Sequence, residues 1–332
     1  MLPIQDIIPL LASPSRIFIT THYKPDGDAI GSMLGLYHYF TLKGHQVTAV
    51  SPSDIPDFLN WMPGIDALYN YEAEPKHCEA ALQAADWIFC VDINDFSRTK
   101  YLGGLLENAP QPKVMIDHHL APQPYWTYGI SEPEKSSTCE MVYDFIQSAG
   151  DNAFINEAMG TCLYTGLLTD TGSFRFPSTH ASTHIMAADL ISKGVKHTPI
   201  HEEIADSWSL KRMQFLGYVL LEKMEILPSL NTGIIALSKK DLRLFDISTG
   251  DTEGIVNYPL SIAGIRFAVL MTERADEIKL SFRSKGDFDV STLARNYFNG
   301  GGHFNASGGS SSRTLEETVT YFKEILSDIH PR

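Results

Sequence analysis

The sequence predicts an α/β protein: an N-terminal doubly wound parallel sheet joined by a long helix to a smaller C-terminal α/β domain. Three observations carry that expectation. Short apolar runs alternate with amphipathic stretches through residues 1–195, the pattern of parallel strands linked by crossover helices. Residues 196–227 repeat an apolar face at helical spacing through Ile200, Ile204, Trp208, Phe215, Leu216, Val219 and Leu220, which predicts a helical linker. From residue 228 to 332 a second set of strands and helices begins.

Taken in order, MLPIQDIIPLLASPS has no basic start and contains Asp6, so it reads as a short amphipathic helix rather than a secretion signal. RIFIT (16–20) is a buried strand, and DAIGSMLGLYHYFTLKG (28–44) is a helix stopped at Gly44. HQVTAVS (45–51) is a strand, EAALQAA (79–85) a helix, DWIFCVD (86–92) a strand, TKYLGGLLENA (99–109) a helix and KVMID (113–117) a strand. Helices follow at 136–150, 155–170 and 180–194. The C-terminal part should hold strands at 232–238, 265–273 and 277–284 and helices near 289–298 and 314–329.

Composition narrows the function. At 332 residues, 43% hydrophobic and 20% charged, the chain is ordinary for a globular protein. No apolar run approaches the roughly 18 residues of a membrane span. Cys78, Cys90, Cys139 and Cys162 are widely spaced with no CxxC pair, which predicts reduced thiols and a cytoplasmic location. Residues 1–227 hold 14 Lys and Arg against 27 Asp and Glu, whereas residues 228–332 hold 12 against 13. So acidic a first part disfavours tracking along long duplex nucleic acid, which needs a basic path.

In an open parallel sheet, sites form beyond the carboxyl ends of the strands. There the sequence places His22, Asp26 and Asp28 after RIFIT, Asp92 after WIFCV, and Asp117, His118 and His119 at the end of KVMID. Asp170 ends the apolar helix GTCLYTGLLTD, where a carboxylate opposes the helix dipole unless a cation offsets it. His22, Asp26, Asp28, Asp92, His118 and Asp170 together suit two divalent cations about 3.5–4 Å apart sharing one carboxylate. Mixed nitrogen and oxygen donors favour Mn²⁺ over Mg²⁺. Neighbours on a strand point in opposite directions, so of His118 and His119 one would ligate and the other meet substrate. Asp117 would then hold the ligating imidazole in its tautomer. His180 and His184, at i and i+4, could pair on a metal but read better as a half-exposed helix face. Farther on, NGGGHFNASGG (299–309) reads as a loop in which Gly300, Gly301 and Gly302 admit an anion, with His303, Arg266 and Arg283 as phosphate donors.

HYKPDGDAIGS, VDIND, IDHH and LLTDTGSF resemble the four motifs of the DHH phosphoesterase family, and NGGGHFNASGG resembles the glycine-rich motif of its associated C-terminal domain. The resemblance is strongest to the stand-alone oligoribonuclease (nanoRNase) and pAp phosphatase branch. It implies a catalytic domain over 1–195, a linker over 196–227 and a substrate-binding domain over 228–332. It further implies His22, Asp26 and Asp92 on one metal, and Asp28, Asp92, His118 and Asp170 on the other. His119 would contact the scissile phosphate. The implied substrates are short RNA oligonucleotides, linear dinucleotides and pAp (3′-phosphoadenosine 5′-phosphate). The alternative is an exopolyphosphatase or pyrophosphatase on the same metals. Neither involves a membrane, and the sequence leaves a homodimer open.

Overall fold

A computed structural model describes residues 1–247 and 250–329, with side chains through residue 327. The chain forms two compact units, Met1–Ser207 and the residues from Trp208 onward.

The first unit is built on seven parallel strands in the order β1-β7-β6-β5-β2-β3-β4. They are β1 (Leu2–Pro3), β2 (Arg16–Thr20), β3 (Gln46–Ser51), β4 (Tyr69–Asn70), β5 (Trp87–Val91), β6 (Lys113–Asp117) and β7 (Tyr128–Ser131). The helices are α1 (Gly27–Leu42), α2 (Pro75–Ala84), α3 (Gly103–Asn108), α4 (Thr138–Ser148), α5 (Glu157–Asp170), α6 (Ala181–Ser192) and the short α7 (His197–His201).

Alternation along the central strands feeds a core on each face. Ile17, Ile19, Phe89, Val91, Val114 and Ile116 pack with residues of α1, α4 and α5. Phe18, Ile88, Cys90 and Met115 pack on the other face with residues of α2 and α3. Burial on both faces is what makes these strands read as continuous apolar runs. The two-residue strands β1 and β4 and the half-buried β7 carry no such run, so nothing in the sequence marks them as strands.

The closest helix contact, α1 against α5, depends on missing side chains. Gly27, Gly31 and Gly35 recur every fourth residue on α1; a Cβ at Gly31 would stand 2.6 Å from the Cys162 carbonyl and one at Gly35 2.6 Å from Leu163 Cδ2. From α5, a Cβ at Gly166 would collide with Cys139 Sγ and reach 2.9 Å from Asp28 Oδ1. Backbones can approach this closely only where no side chain intervenes.

The long helix expected over residues 196–227 is not one helix. After α7 the turns widen through Glu202–Asp206 and the helix stops. It restarts as α8 (Leu210–Tyr218), whose first turn is capped by Ser209 Oγ accepting from Arg212 N. The apolar stripe divides there: Ile200 and Ile204 pack into the first unit's core, and Phe215, Leu216 and Val219 into a core of the second. Residues Met224–Leu227, expected at the helix end, form strand β8 against the next strand.

The second unit holds a six-stranded sheet ordered β12-β13-β11-β10-β9-β8. Its strands after β8 are β9 (Thr232–Leu237), β10 (Phe267–Glu273), β11 (Ile278–Ser284), β12 (Gly301–His303) and β13 (Ala306–Ser311). Among the described residues β9–β10 is the one parallel pair of neighbours in this sheet. Helices α9 (Lys239–Leu244), α10 (Val290–Tyr297) and α11 (Leu315–Ile329) complete it. Phe267, Phe282, Phe298 and Phe322 centre its main core. The stretch NGGGHFNASGG, expected as a loop, is an edge hairpin of β12 and β13. Its glycines have packing reasons: a Cβ at Gly300 would collide with the Gly308 carbonyl, and Gly302 has φ 141°.

Candidate metal centre

Strands β2, β5 and β6 are adjacent in the sheet, so their carboxyl ends bring three loops together. His22 follows β2, Asp92 follows β5, and Asp117, His118 and His119 end or follow β6. Asp26 caps α1, accepting from Asp28 N at 3.0 Å and Ala29 N at 3.1 Å through Oδ1. Asp28 stands in the first turn of α1, and Asp170 is the last residue of α5. The α1–α5 glycine contact is what brings these two helix ends to the same edge.

Asp92 is central. Its Oδ2 lies 3.3 Å from His22 Nε2; its Oδ1 lies 3.7 Å from His118 Nε2 and 3.4 Å from His119 Nδ1. One carboxylate thus faces two donor groups, His22–Asp26–Asp92 and Asp28–Asp92–His118, in each of which the donor atoms lie within 4.8 Å of one another. Asp170 Oδ2 approaches His118 Nε2 at 3.4 Å. Asp92 holds φ 59°, a left-handed conformation that costs a non-glycine residue roughly 1–3 kcal/mol and recurs at functional sites. The loop is stabilised by Arg98, whose Nη1 donates to the Asp92 carbonyl at 3.0 Å.

The imidazoles divide into two kinds. His22 Nδ1 lies 3.0 Å from the Tyr23 carbonyl and His118 Nδ1 3.2 Å from the Lys135 carbonyl. Each ring therefore carries its proton on Nδ1 and turns Nε2 toward the carboxylates, the arrangement usual for histidines that ligate metal. His119 differs: its Nδ1 is 2.8 Å from Asp117 Oδ1, and its backbone N donates to Asp117 Oδ2 at 3.0 Å. The expectation that Asp117 orients the imidazole facing the carboxylate cluster is therefore corrected. A carboxylate holds the neighbour two residues on more easily than the next residue, which leaves on the other side of the strand, so Asp117 holds His119 and a main-chain carbonyl backs His118.

Residues that the sequence did not single out complete the centre from α4. Thr138 N donates to Asp28 Oδ2 at 2.7 Å, and Cys139 N donates to Asp28 Oδ1 at 2.9 Å. Asp28 is thus an anion on a helix N-terminus. Thr138 Oγ1 donates to Asp92 Oδ1 at 3.1 Å. The segment is pinned by Lys135, whose Nζ contacts Glu140 Oε1 at 3.2 Å and Asp144 Oδ2 at 2.5 Å. Nothing in SSTCE distinguishes it from an ordinary helix start, so no sequence signal marked it.

The charges within the cluster strain against one another. Burial and the nearby Asp92 charge push the Asp28 carboxyl up to about 7. Burial, with the Asp28 charge, also raises Asp170 well above the carboxylate range. Burial opposes charge on His118, yet Asp170, Asp92 and Asp28 outweigh it and lift that imidazole to about 9. Burial disfavours the Asp92 carboxylate too, but the hydrogen bond from His22 and the charges of His119 and His22 hold it below its usual value. So many buried carboxylates gathered around imidazole nitrogens demand positive charge. The donor set fits divalent cations, which would replace the protons that otherwise neutralise it.

Elsewhere, His180 caps α6 and pairs with Thr183 in a capping box, and His184 stacks on Phe174 with ring centroids 5.2 Å apart. They serve helix and packing. In the second unit, strand register aligns His303 with Ala306 and Ala306 with Arg283. These three stand in one row on one sheet face, with the Ala306 methyl group between His303 and Arg283. The next row on that face is Gly301, Gly308 and Ser281, which leaves the backbone bare. Arg266 precedes β10 and packs beside Gly286, where a Cβ would strike its guanidinium.

The fold and the site define a protein class. The family model described as "DHH family, N-terminal domain" matches residues 16–167, and that of the DHHA1 domain matches residues 240–329. The chain belongs to the DHH family. It is 28% identical to a probable bifunctional oligoribonuclease and PAP phosphatase NrnA of Streptococcus mutans, over 98% of each chain. It is 28% identical to the Bacillus subtilis bifunctional oligoribonuclease and PAP phosphatase NrnA, over 96% of this chain and 98% of that one. A crystal structure of an exopolyphosphatase-related protein from Bacteroides fragilis matches with a TM-score of 0.95 and 38% identity, over 98% of this chain and 96% of that one. Among the described residues, no helix is long and apolar enough to cross a membrane.

Proposed function

We propose that the chain is a phosphoesterase that hydrolyses short RNA oligonucleotides and linear dinucleotides to nucleoside monophosphates, and pAp to AMP. The observation that carries the reading is Asp92, one carboxylate facing two donor groups at the end of a parallel sheet, in a chain whose relatives, matched over nearly their whole length, are named oligoribonuclease and PAP phosphatase. Two divalent cations, with Mn²⁺ the best match to mixed imidazole and carboxylate donors, would supply Lewis acidity and an activated water near neutral pH. His22, Asp26 and Asp92 would hold one, and Asp28, Asp92, His118 and Asp170 the other.

His119 is the group for the scissile phosphate. With Nδ1 anchored on Asp117 at 2.8 Å, the ring is held in place, with Nε2 left to meet the phosphoryl oxygens. In the second unit, Arg283 and His303 offer charge-assisted donors to a substrate phosphate beside the bare glycine backbone. Arg266, Gly300, Gly301 and Gly302 shape that surface.

A second reading rests on the relative named exopolyphosphatase-related: the same centre would cleave phosphoanhydrides. Turnover of pAp, a dinucleotide, a long RNA, pyrophosphate and polyphosphate, measured with Mn²⁺ added back to metal-free protein, tests both. Hydrolysis of pAp and the dinucleotide above the rest supports the first reading. Polyphosphate or pyrophosphate as the preferred substrate establishes the second.

A further inference from the structure

The first unit carries the whole of the net charge of −14, with 11 Lys and Arg against 25 Asp and Glu. Beside the metal-ligand candidates, however, two lysines stand apart from that acid. Lys100 Nζ lies 4.1 Å from the Tyr23 ring centre and 4.6 Å from that of Tyr101, and donates to Tyr23 Oη at 3.0 Å. Lys24 Nζ lies 5.8 Å from the Tyr23 ring centre. Neither lysine forms an ion pair with a carboxylate among the described residues. Two ammonium groups held on aromatic rings and facing solvent, in so acidic a unit, are placed to meet an anion that arrives from outside.

The backbone ties this group to the centre. Tyr23 follows His22 directly, and Tyr23 N donates to the Arg98 carbonyl at 2.7 Å, while Arg98 holds the Asp92 loop. Both lysines have left-handed backbones, Lys24 at φ 54° and Lys100 at φ 56° with ψ −110°. Lys100 thus pays for a strained conformation that turns its side chain between the two rings. Tyr101 is 61% exposed, which leaves ring surface on which a further planar group can stack.

We infer that Tyr23, Lys24, Lys100 and Tyr101 form a subsite for the second nucleotide of the chain, on the side of the scissile phosphate that carries no nucleoside in pAp. Its base stacks on Tyr101, and its phosphate oxygens meet Lys100 and Lys24. The inference rests on the phosphoesterase reading above. It would let a site at the end of a sheet select a nucleotide chain over a bare phosphate. Stacking is indifferent to base identity, so the subsite would select for length rather than sequence.

The test compares wild type with Tyr101→Ala, Tyr101→Phe and Lys100→Gln on a dinucleotide, the same dinucleotide abasic at its second position, and pAp, all in saturating Mn²⁺. Base stacking of the usual strength predicts that Tyr101→Ala lowers the ratio of dinucleotide to pAp kcat/KM about 5- to 150-fold. Tyr101→Phe should restore the ratio, and the abasic substrate should abolish the difference between Tyr101→Ala and wild type. As a readout independent of turnover, the Kd of a phosphorothioate-linked dinucleotide in Ca²⁺ should rise in Tyr101→Ala and in Lys100→Gln. An unchanged ratio in Tyr101→Ala, or an equal loss on the intact and abasic dinucleotides, overturns the subsite. Wild-type protein that cleaves neither the dinucleotide nor pAp overturns the phosphoesterase reading itself, which is a separate result.

Discussion

Thr138 offers the sharpest test of how the centre is held, because it touches the shared carboxylate without being a ligand candidate. Its hydroxyl donates to Asp92 Oδ1 at 3.1 Å, and both residues are buried. Thr138→Val keeps the β-branched shape and the backbone N–H to Asp28, and removes only that hydroxyl donor. A hydrogen bond to a charged acceptor is worth about 1.5–3 kcal/mol. The distance is long for an O–H donor, whose bonds cluster near 2.7–2.8 Å, so the lower figure applies. That corresponds to about a 10-fold rise in the Kd for Mn²⁺, within the range usual for partners that orient metal ligands. Calorimetric Mn²⁺ titration of metal-free wild type and variant measures it, with thermal unfolding as the check on folding. At saturating Mn²⁺ most of the activity should return, because the ligands themselves are intact. Equal Mn²⁺ affinity in a folded variant would refute the argument that α4 orients Asp92.

Three further outcomes follow from the same geometry. Metal must find Asp28 ionised and His118 neutral, and the metal-free protein raises them to about 7 and about 9. Each therefore holds a proton that metal expels, so Mn²⁺ affinity should rise as pH increases from 6 to 9, with proton release visible in buffers of different ionisation enthalpy; a flat profile would contradict it. Gly166→Ala puts a methyl group into Cys139 Sγ and Asp28 and should cost about 1–3 kcal/mol of stability, together with weaker Mn²⁺ binding. Gly217→Ala, on α8 with nothing within 4 Å, should instead gain about 0.5–1 kcal/mol; equal melting temperatures for the two variants would refute the close-approach account. Arg283→Ala should lower kcat/KM on pAp about 10- to 150-fold by removing a charge-assisted bond, with little change on bis-p-nitrophenyl phosphate, and a similar loss on both would place Arg283 at the chemistry or in the fold.

The sequence by itself determined which chain segments are strands and helices wherever burial is two-sided or periodic. RIFIT, WIFCV and KVMID carry unbroken apolar runs at 17–19, 87–91 and 114–116 because both faces are covered, so their ends, and the His and Asp residues there, were legible. The same property located the candidate ligands, since a parallel strand delivers its next residue to the sheet edge. Tertiary structure alone decided what depends on partners distant in sequence. Asp117 serves His119 rather than His118 because side-chain reach, not strand order, selects its partner. Thr138 and Cys139 meet Asp28 across 110 and 111 residues, and glycines on two helices set the spacing that allows it. The apolar stripe over residues 196–227 satisfies helical spacing, yet it divides between two cores, because periodicity records that residues are buried and not against what. The glycine-rich stretch likewise became a hairpin, since β pairing is fixed by the strand it lies against, and glycine runs carry no pattern of their own.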